Sequence, residues 1–188
     1  FAWWDRPIEP RCLECHATYF EATPGSKNRY QHKARAVLAI SCERCHGPGS
    51  AHVAWHQAHP DVEQPAEIGV PSGWPRERQL EVCSQCHGAI GRAKQPAFSY
   101  RPGEPLDEFL EVSHGDSDAG LVHSANQLQR LAQSRCFQQS PEMTCTTCHD
   151  PHRHERDAMQ VFSNRCQECH DADSHADAEL LGSRLREN

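Results

Sequence analysis

The sequence is short of what usually fills a protein interior. Leu, Ile, Val and Phe together make up 29 of its 188 residues, and its formal net charge is −7. That pairing normally excludes a self-sufficient core, because too little apolar area can be buried to offset chain entropy. Methionine is nearly missing: Met143 and Met159 are the only two, and both read as packing residues. No run approaches the roughly 18 apolar residues of a membrane-spanning helix, so no segment reads as a span. Convincing strand alternation is missing as well. The chain begins at Phe1 with no Met, no basic segment and no apolar stretch of the signal-peptide kind, which reads as a processed product or an excised piece. Lys and Arg number 19 against 26 Asp and Glu, a balance that disfavours nucleic acid as a partner and favours cationic docking surfaces.

What the chain has instead is 11 cysteines and 14 histidines. Ten of the cysteines fall into one repeated pattern: CLECH at 12–16, CERCH at 42–46, CSQCH at 83–87, CTTCH at 145–149 and CQECH at 166–170. The repeated unit is CxxCH, not CxxC. Two thiols three residues apart can add to the two vinyl groups of one haem, and the adjacent histidine can then reach the iron from one side. Zinc ribbons also use paired CxxC, but four cysteines per zinc would strand one of five pairs and leave five histidines without a role. A redox dithiol would normally occur once, near a βαβ pattern that is not found here. The motifs therefore point to five haem c groups. Cys12, Cys15, Cys42, Cys45, Cys83, Cys86, Cys145, Cys148, Cys166 and Cys169 are the attachment points, and His16, His46, His87, His149 and His170 the proximal iron ligands.

Five flat, mostly apolar rings would supply the core that the side chains lack. The expected fold is mainly α with extensive loops and little or no β, its short helices wrapped around stacked, covalently bound haems. The expected state of the haem-free chain is disorder. Short helices are expected at 27–41, 50–59, 75–86, 123–135 and 176–186. Prolines and glycines punctuate the rest, as in GPGS at 47–50 and YRPGEP at 100–105. No linker separates groups of motifs, so residues 1–188 read as a single pentahaem domain. The fourth and fifth motifs lie close in sequence and imply neighbouring haems. The long interval before them has room for a docking loop, a ligand-bearing helix or a contact between subunits.

Nine histidines lie outside the motifs. A second imidazole on each iron would give six-coordinate centres suited to electron transfer. The candidates are His32, His52, His114, His123 and His152. Three residues are too short a path from His149 for His152 to circle the ring and reach the far face of the same iron, so His152 must serve another haem. The same holds for His52 beyond His46. His52, His56 and His59 share one helical face, and one ligand with two solvated neighbours is the reading preferred over a second metal site. His/Met ligation raises reduction potential, so its scarcity here predicts low potentials. Cys136 is left over and reads mainly as a buried free thiol, with an intermolecular disulfide as the next alternative.

The stretches CERCHGPGSAH (42–52) and SRCFQQSPEMTCTTCHDPH (134–152) resemble the multihaem cytochrome c family typified by the tetrahaem electron carrier of ammonia-oxidising bacteria, and related modules of planctomycete-type proteins. The resemblance implies haems in parallel-stacked and roughly perpendicular pairs with mostly bis-histidine ligation, and makes His52 and His152 distal ligands. This chain carries five motifs where that carrier has four, so the assignment of each distal histidine to its haem does not transfer. Related enzymes reduce nitrite or oxidise hydroxylamine, but no CxxCK motif occurs here, and Tyr19, Tyr30 and Tyr100 carry no recognisable cross-linking signature.

The reading favoured is electron transfer through five closely packed haems, with redox proteins as partners. Because c-type haem is attached outside the cytoplasmic membrane, a periplasmic or extracellular location is expected. Two alternatives stay open. One is a reductase or oxidoreductase with one open haem for a small nitrogen or sulfur compound. The other is a homo-oligomer or conducting filament joined through haem-to-haem contacts.

Overall fold

The computed structural model describes residues 7–31, 36–88, 92–111, 126–156 and 159–169. It is mostly helical and looped, with one small sheet, and divides into two compact units, 1–139 and 140–188. His32, His114, His123, His170 and the helix expected at 176–186 lie outside the described residues.

The first unit opens with helix α1 (Pro10–Glu14), which Pro10 starts with its fixed φ. Strand β1 (Ala17–Phe20) follows and pairs antiparallel with β2 (Ala36–Leu38), Tyr19 opposite Val37 and Phe20 opposite Ala36. A bulge at Thr18 breaks the register. Its hydroxyl donates to the Ala39 carbonyl at 2.8 Å and accepts from the Ser41 amide at 2.7 Å, tying the hairpin to the second motif. A helix was expected across 27–41. The described part of that stretch is instead a bridge at Tyr30 and strand β2. The aromatic and β-branched run ATYF supplies a pairing partner that helical propensity does not register.

Helix α2 (Glu43–His46) is a single turn ended by Gly47 at φ +84°, a conformation that glycine adopts without a Cβ penalty. Helix α3 (Ser50–Ala58) matches the helix expected at 50–59, yet none of its side chains is buried. Helix α4 (Arg76–His87) matches the one expected at 75–86, with Pro75 before it and Glu77 in its first turn. It buries Leu80, Val82, Ser84 and Gln85. Tyr100, Leu106 and Leu110, with Phe109 packed against them, form a small apolar cluster. Helices α5 (Gln127–Gln133) and α6 (Arg135–Gln139) close the unit.

The second unit contains a 3₁₀ turn at Cys145–Thr147 and helix α7 (Met159–Gln167). Among the described residues the buried apolar side chains are Ala17, Leu80, Val82, Tyr100, Leu106 and Leu110. This is a meagre core, and Leu38, Ile40, Val53, Ile8 and Met159 are each about half exposed or more. Met159, expected to pack, lies at the surface as the first residue of α7. No helix among the described residues is long and apolar enough to cross a membrane.

Candidate functional site

Each described CxxCH motif is folded into a turn of helix. Cys12 lies in α1 and Cys15 caps it, with the His16 amide on the Leu13 carbonyl at 3.0 Å. In the second motif the His46 amide bonds the Cys42 carbonyl at 2.9 Å. The third motif is the end of α4. In the fourth, the His149 amide reaches the Cys145 carbonyl at 3.0 Å. Cys166 lies in α7 and Cys169 just beyond it, its amide on the Cys166 carbonyl at 3.4 Å. Residues i and i+3 of a helical turn share a side, so each turn presents its two sulfurs together. None of the ten is in a disulfide, nor is Cys136. Cys136 is exposed, contrary to the expectation of burial, because the short helix α6 buries none of its residues.

A loop after α3 orients two histidines. The Nδ1 of His46 donates to the Gly69 carbonyl at 2.8 Å, and the Nδ1 of His52 to the Ala66 carbonyl at 2.7 Å. A carbonyl only accepts, so Nδ1 carries the proton in each ring and Nε2 is the nitrogen with the lone pair. A backbone partner on one ring nitrogen is how metal-ligating histidines are commonly aimed. His59, by contrast, bonds the Trp55 carbonyl of its own helix at 2.9 Å and stacks on the Trp55 ring. His56 meets the His52 ring edge-on at 4.6 Å. The three-histidine face thus has one member tethered across the fold. His16, His87, His149 and His152 are exposed, and the His152 amide bonds the Asp150 carboxylate at 3.0 Å.

The first three motifs converge. Cys15 Sγ donates to the Gln85 carbonyl at 3.8 Å, and Cys86 Sγ to the Glu14 carbonyl at 3.7 Å. Gln85 Nε2 donates to the Arg44 carbonyl at 3.1 Å. Glu14, Arg44 and Gln85 are each the residue just before the second cysteine of a motif, and they are 4%, 6% and 2% exposed. Glu14 accepts from Arg11 at 3.1 Å and from the Phe98 amide at 2.8 Å. The Arg44 guanidinium lies 5.6 Å from the Phe98 ring centre. The neighbouring Cys86 thiol holds Cys15 down to about 6 against the effect of burial, and the same pairing pushes Cys86 up, with burial adding to it. Burial likewise pushes Cys45 up, with Arg44 pulling against it. The CxxCH pattern by itself assigns these x positions no role. The one available signal was that opposite charges occupy equivalent places in CLECH and CERCH.

In the second unit, Arg165 of α7 reaches the fourth motif. Its Nη1 donates to the Cys148 carbonyl at 2.8 Å and to Glu155 at 2.9 Å, and Glu155 also accepts from the Asp150 amide at 3.2 Å. The Arg165 hydrogen bond is the main reason the Glu155 carboxyl sits at about 2. The helix carrying the fifth motif is thereby fastened to the turn carrying the fourth.

These residues fit covalently bound haem. The helical spacing of each cysteine pair places it on one side of its turn, two ring nitrogens are fixed by loop carbonyls, and apolar side chains stand uncovered near the first two motifs. Arg11 Nε, Arg44 Nε and Gln85 Oε1 are buried without a partner at the convergence point. A structural zinc site needs about four ligands on one point. Among the described residues no three His, Cys, Asp or Glu side chains converge so.

A family model described as cytochrome c554 and c-prime matches residues 5–47, the stretch that holds the first two motifs. This similarity supports a c-type cytochrome with covalently bound haem and an electron-transfer role. No curated protein and no solved structure matches the chain.

Proposed function

We propose that the chain is a pentahaem electron carrier, with residues 1–188 acting as one redox assembly. The observation that carries this reading is the contact between the first and third motifs, Cys15 against Gln85 and Cys86 against Glu14. Two attachment points in contact bring their cofactors close, which is what a relay requires. The fastening of α7 to the fourth motif by Arg165 supports the same arrangement for the fourth and fifth. Haem at these turns would supply a one-electron couple at iron.

The chain's own residues then have defined tasks. The ten motif cysteines would anchor the haems, His16, His46, His87, His149 and His170 would ligate their irons, and His52 and His152 would serve as ligands to other irons. Ala66 and Gly69 aim two of the imidazoles. Low reduction potentials, redox-protein partners and a periplasmic or extracellular location belong to this reading. The test is the mass of the purified holoprotein together with its electron paramagnetic resonance spectrum and its response to carbon monoxide when reduced. Five covalent haems, all low-spin and indifferent to carbon monoxide, are expected. A high-spin fraction that binds carbon monoxide would replace the carrier with an enzyme bearing an open site.

A further inference from the structure

We propose that Arg44, buried where the first three motifs meet, is a tuning residue that raises the reduction potentials of the haems attached there, with Glu14 as its opposing partner. The proposal rests on the haem reading above and extends it to a charge that the CxxCH pattern treats as arbitrary.

The geometry is specific to three motifs. Glu14, Arg44 and Gln85 are almost wholly buried, whereas Thr147 and Glu168, at the same place in the fourth and fifth motifs, are exposed. Arg44 is tied in through its backbone, since Gln85 Nε2 donates to its carbonyl. Its side chain lies against Phe98, whose amide is bonded to Glu14 and whose ring meets Tyr19 edge-on at 5.6 Å. Its Nε is buried with no acceptor, a donor open to an anionic group that arrives with the cofactor.

The sign follows from charge. One-electron reduction lowers the net charge of an attachment site by one, with no bond made or broken, the electron coming from a redox partner or, in a titration, a soluble mediator. A fixed cation nearby favours the reduced form and a fixed anion the oxidised form. A guanidinium stays charged at any working pH, and burial keeps both effects from being screened as surface charges are. Arg44 and Glu14 therefore act in opposite directions on overlapping sets of haems.

The experiment is spectroelectrochemical titration of the holoprotein and its Arg44→Gln, Arg44→Lys and Glu14→Gln variants. Arg44→Gln is expected to lower the midpoints of a subset of haems by at least a tenfold change in the reduced-to-oxidised ratio at fixed potential, which is 59 mV for a one-electron couple. Glu14→Gln should raise midpoints in an overlapping subset, and Arg44→Lys should stay near the parent. A merely structural role would move both charge variants the same way. Shifts of one sign in both, or unchanged midpoints in both, would overturn the proposal. Should Arg44→Gln fail to mature, failure of Glu14→Gln to raise any midpoint would overturn it alone. Absence of covalent haem from the parent's mass would instead sink the haem reading.

Discussion

His46 and Gly69 hold each other by two hydrogen bonds of opposite direction: the His46 Nδ1 donates to the Gly69 carbonyl at 2.8 Å, and the Gly69 amide to the His46 carbonyl at 2.9 Å. A Cβ at position 69 would lie 2.7 Å from the Trp74 ring and 2.9 Å from the His46 carbonyl. The latter is backbone and cannot swing away. Gly69→Ala should therefore cost about 1–3 kcal/mol, as overpacking does, and turn the second motif's imidazole. Denaturant unfolding of the holoprotein, read with its low-spin resonance signals, checks both effects. Unaltered stability and spectrum would mean that the loop does not aim His46.

The tether from His52 to Ala66 makes a separate claim. His52→Ala should open one iron, giving a high-spin signal and carbon monoxide binding that the parent lacks, while His56→Ala and His59→Ala leave the spectrum unchanged. If His56→Ala instead produces the open site, the ligand on α3 is misassigned.

The Glu155–Arg165 pair predicts acid sensitivity in the second unit. Glu155 is held at about 2 by Arg165, below the ordinary carboxyl value near 4.3 it regains when unfolded. A depressed folded value adds stability that is fully present above the unfolded value and is lost as the pH falls toward the folded one. The segment 145–169 should become more open to an acid protease as pH drops from about 4.3 to about 2. Glu155→Gln should flatten that dependence. A variant that keeps the full pH response would assign it to other groups.

The thin core predicts dependence on cofactor. Six buried apolar side chains among the described residues are too few to offset the ordering of a chain this long. Haem-free protein, made by replacing the ten motif cysteines with serine, should lack a cooperative thermal transition that the holoprotein has. A sharp transition in the haem-free chain would show that the polypeptide carries its own stability.

Helices with a clear opening signal were legible: Ser50 after GPG begins α3, and Pro75 precedes α4. The hairpin was not, because the pairing of Ala36–Leu38 depends on a strand far back in the chain, and local periodicity cannot see it. The five motifs were legible as a pattern. The positions of Glu14, Arg44 and Gln85 were invisible for a different reason. A motif is defined by what recurs, and these residues work by differing from one motif to the next. The same holds for Ala66 and Gly69, which act through carbonyl oxygens that every residue possesses.

The contact between Cys15 and Cys86 bears on how the molecule is made. In the folded chain each of these half-buried cysteines lies against the other motif's backbone, and an oxidant that joined the two before attachment would take an anchor from two sites at once. The chain is safest when the ligation machinery reaches residue 15 before residue 86 has folded against it.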